Sequence, residues 1–129
     1  MITMHRNSMY WRETVMKISK ELLKGSTTTL ILSLLNSKPM YGYEIIKELE
    51  MKSEGIFSFK EGTIYPILHT LEDKGLIISY WEEGHGKRKR KYYNINGKGK
   101  EFIKEKKEEW SIFKTAVDEV LKGEKIVWD

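Results

Sequence analysis

The chain has 129 residues, of which 40% are hydrophobic and 33% charged, and its formal net charge is +4. This length suits one domain with a single core and leaves no room for a second enzymatic domain. The composition is too apolar for a disordered chain and too charged for a membrane protein. There is no cysteine, and the three histidines (His5, His69 and His85) are scattered, so we expect no disulfide, no metal site and no other cofactor. The longest apolar stretch, residues 29–35, is too short to span a bilayer, and we therefore expect a cytoplasmic protein.

Two helices are predicted after an N-terminal extension, residues 1–17, that has weak periodicity. Apolar residues recur at three- and four-residue spacings over residues 22–35, which predicts a first helix. A second helix is predicted over residues 41–51, because Tyr41, Ile45 and Leu49 fall on one face. Lys38 and Pro39 separate the two helices.

The third predicted helix has an outward face of unusual composition. It starts near Gly62 and Thr63, with the threonine capping free amides and Pro66 in the first turn, and it stops at Lys74 and Gly75. Its buried stripe consists of Ile64, Ile67, Leu68 and Leu71. The residues that must point toward solvent or a partner are therefore Tyr65, Pro66, His69 and Asp73.

A hairpin and a long charged helix complete the chain. Residues 76–81 and 91–95 are rich in β-branched and aromatic side chains, and the glycine-containing loop 82–90 joins them into a hairpin with a basic tip. The final helix is predicted from Gly97 to about Leu121, with a tail at residues 123–129. Its apolar residues follow a seven-residue a/d frame, interrupted at Lys106, and we expect them to form a dimer interface: Ile103, Trp110, Phe113, Val117 and Val120.

This order of elements predicts a winged helix-turn-helix. The fold class is mostly α with a small β-hairpin (α+β), comprising a DNA-binding domain over residues 18–96 and a dimerisation helix over residues 97–122. In this arrangement the third helix enters the major groove of DNA and the ribbon reaches the backbone.

Candidate DNA contacts lie on the third helix and on the wing. Thr63, Tyr65 and His69 suit a helix that enters the major groove. Alternatively, Tyr65 packs on a neighbouring segment and His69 is an ordinary surface residue. On the wing, strand alternation predicts that two or three side chains of the basic run contact phosphates while the others stay hydrated. The run consists of Lys87, Arg88, Lys89, Arg90 and Lys91.

Trp110 allows two interpretations. Aromatic residues at a and d positions usually pack against a partner helix, so Trp110 is expected first as part of the dimer core. Alternatively, two such tryptophans across a dimer axis would sandwich a flat aromatic compound. The pattern of residues leaves both open.

Several motifs together resemble the PadR-like repressor family. They are LKGST at residues 23–27, YGYEI at 41–45, GTIYPIL at 62–68, LEDKGLI at 71–77 and RKYY at 90–93. The resemblance covers residues 22–95. It implies a homodimer held by the C-terminal helix, a pseudo-palindromic operator, and release from DNA when a small molecule, often aromatic, is sensed.

The resemblance also implies roles for particular residues. Thr63, Tyr65 and His69 would be recognition-helix contacts, Tyr43 would lie near the DNA backbone, and residues 87–91 would be the wing. Residues 109–111 and the short tail are similar to a subgroup of small multidrug-sensing regulators in which a central tryptophan, here Trp110, stacks on planar drugs.

The function predicted from the chain is that of a ligand-responsive, sequence-specific DNA-binding regulator, most simply a repressor. The alternative is a winged-helix interaction module whose basic ribbon binds an acidic protein partner. An enzyme is not expected, because no nucleophile is paired with a base and no glycine loop is suited to phosphate.

Overall fold

The computed structural model describes residues 18–23, 25–84, 86 and 88–127. The predicted extension at residues 1–17 lies outside them. The elements follow in this order: α1 (Lys20–Leu23), α2 (Thr27–Leu35), β1 (Met40–Tyr41), α3 (Gly42–Lys52), α4 (Glu61–Asp73), β2 (Ile77–Glu83), β3 (Lys89–Ile95) and α5 (Gly97–Val127). This order, with a small antiparallel sheet, is the α+β winged-helix fold predicted from the sequence.

The core lies where α2, α3 and α4 meet the inner face of the sheet. Ile31, Leu35, Ile45, Ile64 and Leu68 are each at most 1% exposed and supply its centre. Burial of a side chain of this size is worth about 1.5–3 kcal/mol. Because these residues recur at helical spacing on three separate elements, packing them together fixes the three helices against one another.

The sheet has the strand order β1-β3-β2, and both pairings are antiparallel. Tyr93 on the central strand lies opposite Met40 on one side and Ser79 on the other. Its neighbour Tyr92 pairs with Tyr41 and Tyr80. Since side chains alternate along a strand, Tyr93 faces the core, where it is buried, and Tyr92 faces outward. Strand β1 was not predicted, because two residues are too few to show a period. The assignment of Tyr41 to the second helix is wrong: Tyr41 is extended, pairs with Tyr92 and is the N-cap residue of α3.

The predicted first helix is wrong as one continuous element. Gly25 has a φ of 85°, a left-handed conformation that interrupts helix geometry, and it lies between α1 and α2. Glycine adopts this conformation without the steric cost that a Cβ brings. The apolar period runs across the break, so periodicity alone did not reveal it.

Helix α4 starts earlier than predicted, and two local predictions are wrong as a result. Lys60 is its N-cap residue and makes no side-chain capping bond, so Thr63 lies within the first turn instead of capping it. Pro66 then falls in the second turn, where its ring removes the hydrogen bond that the Gly62 carbonyl would otherwise accept. The buried stripe is largely as predicted, except that Ile67 is only half-buried.

Helix α5 is capped by Asn96. The Asn96 side-chain oxygen accepts a hydrogen bond from the Gly99 amide at 2.8 Å, and its side-chain nitrogen donates to the Gly75 carbonyl at 2.8 Å. One residue therefore ties the start of α5 to the loop that follows α4.

The first turns of α5 pack against α2 and β3, and the rest of the helix projects away from the core. Ile103 is 1% exposed and belongs to the core of the protomer. Its assignment to a dimer interface is therefore corrected: the side chain is covered by its own chain. Residues 107–122, in contrast, are all exposed.

Replacing Gly99 with alanine is expected to destabilise the fold. A Cβ at this position would overlap the Leu76 carbonyl oxygen and would lie 2.6 Å from Cγ1 of Ile95. Because a backbone oxygen cannot move aside easily, we expect Gly99→Ala to lower the free energy of unfolding by about 1–3 kcal/mol, measured by urea titration. Gly97→Ala is the control, since a Cβ there meets nothing within 4 Å. Equal stability of the two variants would contradict this packing.

Candidate nucleic-acid interface

The outward face of α4 exposes two of the three side chains on this helix that were predicted to contact DNA. Thr63, Pro66 and His69 are exposed along one side of the helix. Tyr43, near the start of α3, is also exposed, and the Lys47 ammonium lies 5.7 Å from the centre of its ring. These side chains are available to a partner without any rearrangement of the core.

Tyr65 differs from the others, because it is half-buried and packs against the core. A Cβ at Gly42 would overlap the Tyr65 ring, so α4 can approach the start of α3 this closely only because residue 42 is glycine. Burial, together with the nearby Glu61 carboxylate, raises the pKa of the Tyr65 phenol above its usual range. The prediction that Tyr65 points fully away from the core is therefore wrong.

A cavity with a volume of about 460 Å³ lies between α4 and the hairpin, and we call it the cleft. Its walls combine aromatic rings with basic side chains. The lining residues are Tyr41, Gly42, Tyr65, His69, Trp81, Lys89, Arg90, Lys91 and Tyr93. A cleft with these walls suits an anionic polymer that has apolar surfaces between its charges.

Strand alternation divides the basic run between the two faces of β3. Lys89 and Lys91 share the face of Tyr93, which is turned toward α4, and the Lys91 ammonium lies 5.7 Å from the Tyr93 ring centre. Arg90 reaches the edge of the cleft with its guanidinium 4.5 Å from the ring centre of Tyr41. Arg88 is exposed next to the turn. Lys87 lies outside the described residues.

The hairpin carries acidic residues that partly offset its basic run. In the register of β2 and β3, Glu82 is opposite Arg90 and Glu83 is opposite Lys89. Opposite charges at such positions attract one another and lower the positive potential of the ribbon. The basic run alone therefore suggests a higher positive potential than the folded ribbon has. The acidic residues opposite it are identified only by the register of the two strands.

A hydrogen bond joins α4 to the hairpin. The Ser79 hydroxyl donates to the Glu72 carboxylate, across from the buried Tyr93. Burial raises the pKa of Tyr93, and the neighbouring Tyr65 and Glu72 add to that shift. The helix and the ribbon are therefore joined by a polar contact beside the buried Tyr93.

A second exposed feature lies on the projecting half of α5. Trp110 and Phe113 are 54% and 57% exposed, and their ring centres are 5.9 Å apart. Val117 and Val120 continue the same stripe and are also exposed. Four of the five residues predicted for a dimer interface thus share one uncovered face, and Ile103 does not.

In the part of the chain that the structure describes, no three histidine, cysteine or acidic side chains are grouped in a way that would hold a metal ion. No helix among those residues is long and apolar enough to cross a membrane.

The fold and the cleft define a winged-helix DNA-binding protein. Residues 31–105 match the family model of the transcriptional regulator PadR-like family. The match covers more than half of the chain and runs from α2 to the start of α5. The chain belongs to the PadR-like family.

Relatives agree with this assignment. A transcriptional regulator of Clostridium thermocellum has a TM-score of 0.72 and 37% identity, over 80% of this chain and 97% of that one. A PadR family transcription regulator of Clostridium difficile has a TM-score of 0.68 and 42% identity, over 75% of this chain and 99% of that one. The transcriptional regulator YqjI of Escherichia coli is 33% identical over 66% of this chain, which spans 39% of that protein's length. Members of the family are transcription regulators and not enzymes, and this chain is a DNA-binding transcription regulator.

The bond between Ser79 and Glu72 is expected to contribute to stability. Removing either partner leaves a half-buried polar group without its bond, so Ser79→Ala and Glu72→Ala should each lower the free energy of unfolding by about 1–2 kcal/mol. The double variant should lose about 1–2 kcal/mol less than the sum, because either single change already removes the bond. Chemical denaturation of the four proteins measures this coupling. Strict additivity would show that helix and ribbon are held by packing alone.

Proposed function

We propose that this protein is a dimeric repressor that binds a pseudo-palindromic operator and releases it on binding a small planar aromatic molecule. The observation that supports operator binding most directly is the cleft, in which the exposed face of α4 and the cationic face of the wing converge. Family membership supplies the general role in transcription, and the chain's own side chains suggest how DNA is engaged.

In the proposed complex, α4 lies in the major groove with Thr63 and His69 directed at base edges. Tyr65 packs with its hydroxyl end against Gly42 at the start of α3 and supports the helix, while Tyr43 lies near a phosphate. Since helix residues near the N-terminus reach bases most readily in helix-turn-helix proteins, Thr63 is the best placed of these.

The wing supplies the phosphate contacts. Lys89 and Lys91 face the same side as α4, so both ammonium groups would lie along one DNA strand next to the groove that α4 occupies. Neutralising phosphates releases counterions, and affinity then falls as salt rises. Arg88 and Arg90 are at the margin of this surface and Lys87, outside the described residues, belongs to the same predicted run.

Dimerisation is proposed through the projecting half of α5. Its exposed apolar stripe would be covered by the same stripe of a second copy, which gives a two-fold interface with identical patches on both sides. Two copies related in this way would place their α4 helices in major-groove segments about 10 base pairs, or a multiple of that, apart.

The ligand step is proposed for Trp110. Its neighbour Phe113 lies 5.9 Å away, so the two rings already form an aromatic surface in each protomer. Across a two-fold axis, two such surfaces would enclose a flat compound, in keeping with the resemblance to small multidrug-sensing regulators. A ligand that binds better to the DNA-free arrangement would shift the population toward it.

Neutralising the wing should weaken DNA binding and flatten its salt dependence. In Lys89→Ala/Lys91→Ala, loss of two phosphate contacts per subunit should lower the magnitude of the slope of log affinity against log salt by about 1–2 for each subunit. Fluorescence anisotropy with duplex DNA from upstream of the protein's own gene, and with scrambled duplex, measures both quantities. Lys104→Ala/Lys107→Ala is the matched control, because it removes two exposed lysines from α5.

The outcomes separate the functions. Preferential binding to the upstream duplex supports an operator next to the protein's own gene. Salt-sensitive binding without preference indicates that the operator lies upstream of another gene. If the two double variants behave alike, the wing is not the phosphate-binding surface. Absence of binding to any duplex, with recovery of a stoichiometric acidic partner, would favour the interaction-module alternative.

Trp110→Ala should abolish binding of planar dyes while the protein stays dimeric. The alanine removes the stacking surface, but Phe113, Val117 and Val120 remain to hold the interface. Dye fluorescence titration reports the ligand step, and sedimentation equilibrium reports the assembly. Trp110→Phe is the control that keeps an aromatic ring. Unchanged dye affinity in the alanine variant would leave Trp110 as interface packing only, and a monomeric wild-type protein would contradict the dimer.

A further inference from the structure

We propose that Trp81 is a DNA contact in which the indole ring packs against the deoxyribose of a backbone strand, between the phosphates bound by Lys89 and Lys91. This inference rests on the proposed function and names a residue that the basic run did not reveal. It assigns the wing an apolar contact in addition to its cations.

The position of Trp81 singles it out among the aromatic residues of the sheet. It lies on β2 directly opposite Lys91, and it lines the cleft together with His69 and Lys89. Its side chain is 64% exposed, although it is the largest apolar group on the hairpin. A single exposed apolar residue needs no explanation, but this one lies on the surface where DNA is expected.

The outer face of the same sheet shows how aromatic rings here are otherwise accommodated. Tyr80 stacks on Tyr92 at 5.9 Å, and Tyr92 meets Tyr41 edge to face at 5.5 Å. Among the ring contacts of the described residues, none involves Trp81. The outer rings stabilise one another, whereas the indole on the inner face has a large uncovered surface.

The neighbours of Trp81 identify the chemistry of the group that would cover it. Lys89 and Lys91 lie on the same face, which selects an anionic partner, and the indole selects an apolar surface within a few ångströms of the anion. The sugar-phosphate backbone combines both, because each deoxyribose presents carbon atoms between two phosphates. The indole N–H is also able to donate to a phosphate oxygen while the ring lies on the sugar.

The charges of the ribbon give this contact a physical role. Glu82 and Glu83 lie opposite Arg90 and Lys89 and weaken the attraction of the wing for phosphate. An apolar contact adds affinity that does not depend on counterion release. The wing would therefore bind through fewer effective charges than its five consecutive basic residues suggest, and Trp81 would supply the part of its affinity that is insensitive to salt.

The test compares Trp81→Ala with Trp81→Phe and with Ile78→Ala by anisotropy, on duplex DNA from upstream of the gene, over a series of salt concentrations. Ile78 is the matched control, since it is a 51% exposed apolar residue on the opposite face of the same strand. Loss of the apolar surface that the indole buries against the sugar predicts that Trp81→Ala weakens binding roughly 5- to 20-fold, with Trp81→Phe intermediate. The salt slope should be unchanged, because the substitution removes no cation and so leaves counterion release as it was.

Three results would overturn the proposal. If Trp81→Ala and Ile78→Ala both bind like wild type, the indole does not touch DNA, while operator binding itself stands. If Trp81→Ala binds more weakly and the slope of its log affinity against log salt is also shallower, the indole acts by positioning Lys91. If wild-type protein binds no duplex, the proposed function fails together with this contact. Thermal melts of all variants exclude unfolding as the cause, since the side chain is exposed in the folded protein.

Discussion

Burial of Tyr93 is the constraint on which the rest of the molecule depends. This residue occupies the central strand, opposite Met40 and Ser79, and is 2% exposed. Because it must face the core, the register of both strand pairs is set, since a slip of one residue would turn every side chain of β3 to the other face. The same alternation then places Lys89 and Lys91 beside α4. A core tyrosine thus determines where the cations of the wing lie.

Much of the fold was predictable because helical periods and turn residues are local signals. The wing and the long last helix were predicted with errors only at their ends. The failures have one physical origin: a period reports which side is apolar and does not report where the backbone changes direction. Gly25 interrupts a helix within a continuous apolar pattern, and β1 exists only because β3 offers it a partner.

The candidate site was predictable to a smaller extent. The exposed positions of Thr63 and His69 follow from the same period that buries Ile64 and Leu68. Tyr65 could not be placed in this way, because its half-buried position depends on the absence of a side chain at Gly42, a contact between two helices. The contact proposed for Trp81 has no signal in the sequence, because its place beside Lys91 depends on the register between β2 and β3.

The continuous α5 helix has a mechanical consequence. Its start is pinned by the Asn96 cap and by the tight packing at Gly99, and its aromatic surface begins at Trp110. At 1.5 Å of rise per residue, about 17 Å separate Gly99 from Trp110. A tilt of about 10° between two such helices would shift each winged domain by about 3 Å, close to the ~3.4 Å rise of one base pair. In the proposed dimer, a stiff helix of this length would act as a lever. A flat ring inserted between two such helices would change the angle between them, and with it the register in which the two α4 helices meet one duplex.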